Sequence, residues 1–388
     1  MKVHKLMKKL KLKIALNSIS RKSFNFKLDP NIHMQDYIEL RSDVKTLPTQ
    51  KMRESILSCI VGDDCSNEDS TMKELQQRIQ TLFGKERALF VPTGFMGNMA
   101  AISLNAKRDD FIIQGDFCHI WKVEYASQEL LGFKPYLLEN LEDGTLNLKN
   151  DEFLKLLKNP DLTKNFPVLS LENTHNFKGG RVLPKNYSSE LKKKILQDLP
   201  KIKFHLDGSR IFNSSIFLNE DLKLLVKDFD TVNICLSKGI GAPVGSMILC
   251  DDSQYEKLRH IRKAMGGSMR QSGLLASFAL VALDDWKERM KKDNLKAIKI
   301  ANGLNNIRNV KVFPSHVESN IVIIYVDQKY KSKLEEAVKI LATQHKVNIG
   351  YISYTGQLRV VTHHQVDDQQ IAYAVEKMNK VFSDLFND

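Results

Sequence analysis

The chain reads as an α/β protein built on a largely parallel sheet, and two observations carry that reading. Seven short apolar runs, at residues 88–91, 111–114, 134–138, 168–172, 203–207, 231–236 and 245–250, are separated by stretches with helical character. Several of these runs are apolar on both faces, which is the composition of strands covered by helices on either side, where neither face meets water. The 388 residues, 42% of them hydrophobic, leave length for one large and one small domain.

Taken in order, the first element is a basic leader, residues 1–28. Nine lysines and arginines precede the first acidic residue, Asp29, so the remainder of the +12 chain carries only +3. An acid-free stretch of basic, hydroxyl and apolar residues fits a mitochondrial targeting peptide, and a plain basic extension equally. The expected location is therefore the cytoplasm or the mitochondrial matrix. A body so close to neutral, without interleaved aromatic and basic residues, does not suit nucleic acid. No apolar run approaches the roughly 18 residues a membrane-crossing helix needs. Cys59, Cys65, Cys118, Cys235 and Cys250 show no C-x-x-C spacing, so neither a disulfide framework nor a zinc site is expected. The adjacent His363 and His364 on one strand would point to opposite faces, so no metal site is expected there either.

Residues 71–82 have helical periodicity, and residues 98–105 can open a helix after a strand and a glycine turn. Such strand-to-helix joints are where open α/β sheets bind ligands. From about residue 286 the pattern changes to a smaller α+β unit. It has a long polar helix at 293–307, strands at 310–313 and 320–326, a helix at 333–343, a strand at 357–362 and a terminal helix at 367–386.

Three elements carry chemistry. Ser237-Lys238-Gly239 follows an apolar strand, which predicts a buried amine whose lowered basicity suits imine formation. His205-Leu206-Asp207-Gly208-Ser209-Arg210 ends another strand, and Asp207 suits the carboxylate that faces the ring nitrogen of pyridoxal phosphate (PLP). Val91-Pro92-Thr93-Gly94-Phe95-Met96-Gly97-Asn98 offers backbone N–H groups and a helix dipole to a phosphate. Singly, each has a plain structural reading: a boundary lysine, a capping aspartate, a common glycine turn.

Together, and in this order, they resemble the low-specificity threonine aldolases of the type I PLP-dependent transferase fold. The resemblance runs over roughly residues 38–365. It includes Leu40-Arg41-Ser42-Asp43, Leu171-Glu172-Asn173-Thr174-His175-Asn176, Gly179-Gly180-Arg181-Val182-Leu183-Pro184, Gly266-Gly267-Ser268-Met269-Arg270-Gln271 and Leu358-Arg359-Val360-Val361-Thr362-His363. It implies a seven-stranded, mostly parallel sheet in a large domain (65–285), a small C-terminal domain (286–388), and a segment (29–64) packing on the active site. PLP is the implied cofactor, joined to Lys238, facing Asp207 and stacked under His119. Gly94, the Phe95 backbone and Ser237 would hold its phosphate, with Arg270 and Lys263 from a neighbouring subunit of a homotetramer or homodimer. Arg210 belongs to the same cofactor-binding set. Ser42, Arg210 and Arg359 would bind the substrate carboxylate, and His175 would sit near its β-hydroxyl.

The implied reaction cleaves threonine, allo-threonine or a related β-hydroxy-α-amino acid to glycine and an aldehyde. A β-eliminating lyase, a transaminase and a catalytically silent homologue are the alternatives. The chain departs from the family where Phe95 replaces the usual threonine, where Cys65-Ser66-Asn67 stands for V-Y-G, where Ser209 replaces an alanine, and where Arg41-Ser42-Asp43-Val44-Lys45-Thr46-Leu47 lacks a hydroxyl and an arginine.

Overall fold

The chain enters with a short strand, β1 (Ile38–Leu40), and the seven apolar runs then form β2 (Arg87–Val91), β3 (Phe111–Gly115), β4 (Lys134–Leu138), β5 (Val168–Glu172), β6 (Lys203–Asp207), β7 (Thr231–Cys235) and β8 (Ser246–Cys250). This computed structural model describes residues 36–159, 163–352 and 355–387, and the leader expected over residues 1–28 lies outside them. Strands β5, β7 and β8 are buried along their whole length, as two-sided apolar strands must be. The seven pair in the order β2-β8-β7-β6-β5-β3-β4, and only β8 runs antiparallel to its neighbours.

Sheet topology fixes where a ligand can sit. β3 connects outward to β4 and β5 connects the opposite way to β6, so the paths diverge between two adjacent strands, β3 and β5. A crevice opens outside the carboxyl ends of the strands at such a switch point. Asp207 and Glu172 are the last residues of β6 and β5 and stand opposite each other in register.

A second sheet has the order β1-β11-β12-β10-β9, with β9 (Val310–Lys311), β10 (Ile321–Val326), β11 (Val347–Ile352) and β12 (Gln357–Val361). Strand β1 pairs in parallel with β11, Leu40 opposite Ile349, so the segment expected only to pack on the active site also supplies an edge of this sheet. Neither β1 nor β11 was expected. Three residues are too few to show alternation, and Val347–Ile352 carries a glycine and an asparagine that blur it. The helix Trp286–Leu304 begins earlier than its polar pattern suggests, and it joins two cores. Trp286 and Met290 pack with the large sheet's interior, while Ala297, Ile300, Ala301 and Leu304 pack with that of the second sheet. No helix among the described residues is long and apolar enough to cross a membrane.

The helix expected over residues 71–82 spans Ser70–Phe83 and is held by a buried carboxylate. Asp69 accepts the Met72 N–H at 2.9 Å on Oδ1, and the Gly273 N–H at 2.8 Å and the Gly62 N–H at 3.3 Å on Oδ2. One side chain thus caps this helix and ties two distant segments to it. Asp69→Ala removes the cap and leaves buried N–H groups unpaired, so urea unfolding is expected to show a loss of about 2–3 kcal/mol with an unchanged slope. An unchanged midpoint would contradict this account of the cap.

Candidate active site

At the end of β7 the chain turns through Ser237 and Lys238, the Gly241 N–H closing the turn on the Lys238 carbonyl at 2.7 Å. Lys238 is half-buried rather than fully buried as expected, because it stands three residues beyond the strand, at the mouth of the crevice. Its ammonium makes no hydrogen bond or ion pair among the described residues, yet its charge acts on both Asp207 and Asp43.

Asp207 is 2% exposed at the end of β6. Its Oδ1 accepts the Ser209 hydroxyl at 2.6 Å and the Ser209 N–H at 3.2 Å, and its Oδ2 accepts the Asn98 amide at 3.1 Å. Burial alone would raise this carboxyl, but the Lys238 charge and the Ser209 bond outweigh it and hold it below the ordinary value. Its neighbour Glu172 goes the other way: burial and the Asp207 charge push it up to about 7, against the help of His119. Glu172 accepts the backbone N–H groups of His119 at 2.8 Å and Asn176 at 2.9 Å, tying both segments to the end of β5.

His119 opens a short helix after β3 and its Nδ1 lies 2.8 Å from Glu124 Oε1. The Phe95 ring meets it edge-on at 5.6 Å and the Phe177 ring lies nearly parallel to it at 6.4 Å. His175 is 1% exposed, and neither ring nitrogen has a hydrogen-bond partner among the described residues. Burial, assisted by the Lys178 charge, pulls it down to about 3, so it is a neutral imidazole at pH 7.

The helix of the anion cradle begins at Gly94, four residues before the expected start at Asn98. It spans Gly94–Ser103, capped by Thr93 Oγ1, which accepts the Met96 N–H at 3.2 Å. The glycines are needed for close approach: a Cβ at Gly94 would stand 2.7 Å from Cys235 Sγ, and one at Gly97 2.0 Å from Asn233 Oδ1. The Phe95 side chain is 41% exposed and turns toward His119, leaving only its backbone for an anion. Ser237 is half-buried at the facing turn. Arg270 and Lys263 are exposed on the surface, and Arg270 pairs with Asp63 at 2.9 Å.

Of the three groups expected for a substrate carboxylate, two converge. Arg210 and Arg359 each donate from Nη1 to the same oxygen, Asn176 Oδ1, at 3.2 and 3.1 Å. Arg210 is further held by Asp43, through Nε to Oδ2 at 2.8 Å and Nη2 to Oδ1 at 2.7 Å, and Asn320 donates to the same carboxylate at 3.0 Å. Ser42 sits one residue away, its hydroxyl capping the turn at Val44.

Asn98, Glu124, Asp43 and Asn176 were not singled out by sequence. Asn98 lies in the cradle motif and Asp43 in the Arg41-Ser42-Asp43 string, but nothing local shows that their partners are Asp207 and Arg210. Glu124 is five residues past His119, across a break between two short helices, where no regular spacing applies. One ligand atom each of His119, Glu124 and Asp207 lies within 4.8 Å of the others. The Asn98 amide points its hydrogens at both carboxylates, however, which suits an anionic pair bonded to protein donors rather than a cation cage.

Comparison with known proteins places these features in context. A family model described as beta-eliminating lyase matches residues 39–329. A probable low-specificity L-threonine aldolase 2 from Arabidopsis thaliana is 37% identical over 350 residues, covering 89% of this chain and 97% of the relative. Among solved structures, the threonine aldolase of Leishmania major superposes with a TM-score of 0.72 at 19% identity, over 89% of this chain and 99% of that one. SPT solved with PLP superposes at 0.68 and 15% identity, over 90% and 88% of the two chains. The last two likenesses speak for the fold alone.

The buried Arg210–Asp43 pair yields a stability test. Asp43→Ala leaves a buried guanidinium without its carboxylate and is expected to cost about 3–5 kcal/mol at pH 7, measured by urea unfolding. Burial opposes ionisation of Asp43, but Arg210 overrides it and holds the carboxyl well below its ordinary 3.8. The stabilisation is therefore complete above that value and lost as pH falls beneath it. The gap between native and variant protein should be constant from pH 8 to about 5 and close toward pH 2.

Proposed function

The chain belongs to the beta-eliminating lyase family and, within it, to the low-specificity L-threonine aldolases; from that premise we propose that it is a PLP-dependent aldolase cleaving threonine or allo-threonine to glycine and acetaldehyde. The observation that carries the reading is the convergence of a half-buried, unpaired lysine and a buried ionised carboxylate at the carboxyl ends of adjacent parallel strands. That donor set fits PLP. An amine is available to the aldehyde carbon, an anion faces the ring nitrogen, and the glycine cradle of Gly94–Ser103 offers free N–H groups to the phosphate.

In this reading Lys238 would carry the cofactor, Asp207 would face its ring nitrogen and keep it protonated, and His119 would lie against the ring. Gly94, the Phe95 backbone and Ser237 would hold the phosphate. PLP, when bound, supplies an electron sink for the pair released at Cα. The protein does the rest. Arg210 and Arg359 exchange the amide oxygen of Asn176 for the substrate carboxylate, an exchange made easy because both already point at one acceptor. Ser42 lies beside them. The neutral His175, with two unpartnered nitrogens, offers a hydrogen bond to the β-hydroxyl. Residues 65–285 form the cofactor-binding body, and residues 286–388 with β1 bring Arg359 and Asp43 over it.

We further take the active unit to be a homotetramer or homodimer in which Arg270 and Lys263 serve a neighbour's phosphate. Supporting this, Leu57 and Ile60 are 89% and 69% exposed on the segment leading to Asp63, the partner of Arg270. Apolar side chains so open to water suit a buried contact. The acid-free leader supports the cytoplasm or the mitochondrial matrix as the place of action.

Purified protein supplied with PLP is expected to absorb in the visible and to release acetaldehyde from allo-threonine, and Lys238→Ala should lose both. A colourless preparation would overturn the reading, and pyruvate in place of acetaldehyde would move it to elimination. The double variant Leu57→Glu/Ile60→Glu should shift the assembly to a smaller species by light scattering and weaken PLP retention. An unchanged mass would refute that interface.

A further inference from the structure

Glu124 is 1% exposed, and its carboxylate sits between two other site residues. Oε1 meets His119 Nδ1 at 2.8 Å and accepts the Asn98 amide at 3.0 Å. Oε2 is buried and has no hydrogen-bond partner among the described residues. The orientation of Asn98 is fixed from behind: its Oδ1 accepts the Asn233 amide at 2.9 Å and faces His205 Nε2 at 3.2 Å. Asn233 is fixed in turn, since its Oδ1 accepts the Ser246 hydroxyl at 2.7 Å. Asn98 Nδ2 therefore donates to both Glu124 and Asp207, and both act as acceptors. A carboxylate that accepts at Oε1 takes the imidazole hydrogen from Nδ1, which decides the tautomer of the ring.

Resting on the aldolase reading above, we propose that Glu124 is a positioning residue that holds His119 as the Nδ1–H tautomer, leaving Nε2 as the acceptor that takes the β-hydroxyl proton of the substrate. In that step the proton passes from the β-oxygen to Nε2, the O–H electron pair becomes the second bond of the aldehyde carbonyl, and the Cα–Cβ pair stays with the glycine half. Cα then gains one proton from solvent while the imidazolium gives one back to solvent, so no net proton is taken up and His119 returns to its neutral form. Nε2 of His119 is engaged by no described residue. His175 is the rival base, but neither of its nitrogens has a partner among the described residues, and burial with the nearby Lys178 leaves it a poor proton acceptor. Burial raises the Glu124 carboxyl, but its bonds to His119 and Asn98 favour the anion, which stands 2.8 Å from Nδ1, beside the ring that receives the proton.

The test uses PLP-loaded protein. With 15N-labelled histidine, and His119 assigned by His119→Asn, the native spectrum should show a proton on Nδ1 and a bare Nε2. A proton on Nε2 would overturn the proposal even if Glu124→Gln does not fold, and it reports on Glu124 whether or not threonine proves to be the substrate. Glu124→Gln presents an amide hydrogen to Nδ1 and should reverse the tautomer. It should lower kcat for threonine cleavage by about 100-fold or more while KM stays within about threefold. Exchange of a glycine Cα hydrogen with deuterated solvent, which needs no β-hydroxyl base, should persist. Glu124→Asp should restore part of kcat. Loss of exchange in step with cleavage would mean a structural role and sink the proposal, as would a kcat within about threefold of native. A native protein that binds PLP but cleaves no β-hydroxy-α-amino acid would instead sink the aldolase reading.

Discussion

A single buried charge organises the site: Asp207, 2% exposed at the end of β6, has to remain an anion where water cannot solvate it. A lone carboxylate in such a place would take up a proton. Here it is held ionised by the Lys238 charge, two bonds from Ser209 and one from Asn98. Each contributor comes from a different element: the turn after β7, the turn after β6 and the cradle helix. The need to keep one carboxylate charged thus draws these three segments together at the crevice. Ser209 adds a short hydrogen bond to that anion, from its hydroxyl to Oδ1 at 2.6 Å.

The same need divides the site's carboxylates into two kinds. Asp207 and Glu172 stand opposite each other in paired strands, and two like charges so close cannot both ionise freely. Asp207 keeps its charge because its partners favour it, and Glu172 is pushed up toward neutrality and used to grip backbone N–H groups. One member of the pair faces chemistry and the other braces the frame. Glu124 completes the set by orienting a ring rather than an ion.

A second constraint joins the two sheets. Arg210 lies in the large sheet's part of the chain, while Asp43, Asn320 and Arg359 come from or beside the smaller sheet, and all meet around Asn176. The bidentate Arg210–Asp43 pair is buried on both sides, so the cost of separating it is the cost of leaving a charge alone. This fixes the smaller unit over the crevice with Arg359 in place. The helix Trp286–Leu304, shared between both cores, makes the same connection in apolar terms.

Much of this was readable before folding was considered. The seven strands follow from apolar runs whose two-sided burial leaves no other arrangement than a covered sheet. The placement of Lys238, Asp207 and the Gly94 cradle at strand ends was legible, because the end of an apolar run marks where the chain leaves the sheet. The smallest strands, β1 and β11, and the true start of the cradle helix were not, since short or glycine-bearing segments carry little periodicity. Nor was the exposure of Lys238, which depends on how far a turn projects. What tertiary structure alone decided is partnership. Asn98 meets Asp207 across 109 residues and Arg210 meets Asp43 across 167, and no spacing rule reaches that far. Residue type gives the chemistry a side chain can do, and only the packed fold sets which charge stands beside it in the low-dielectric interior, where that choice governs its protonation.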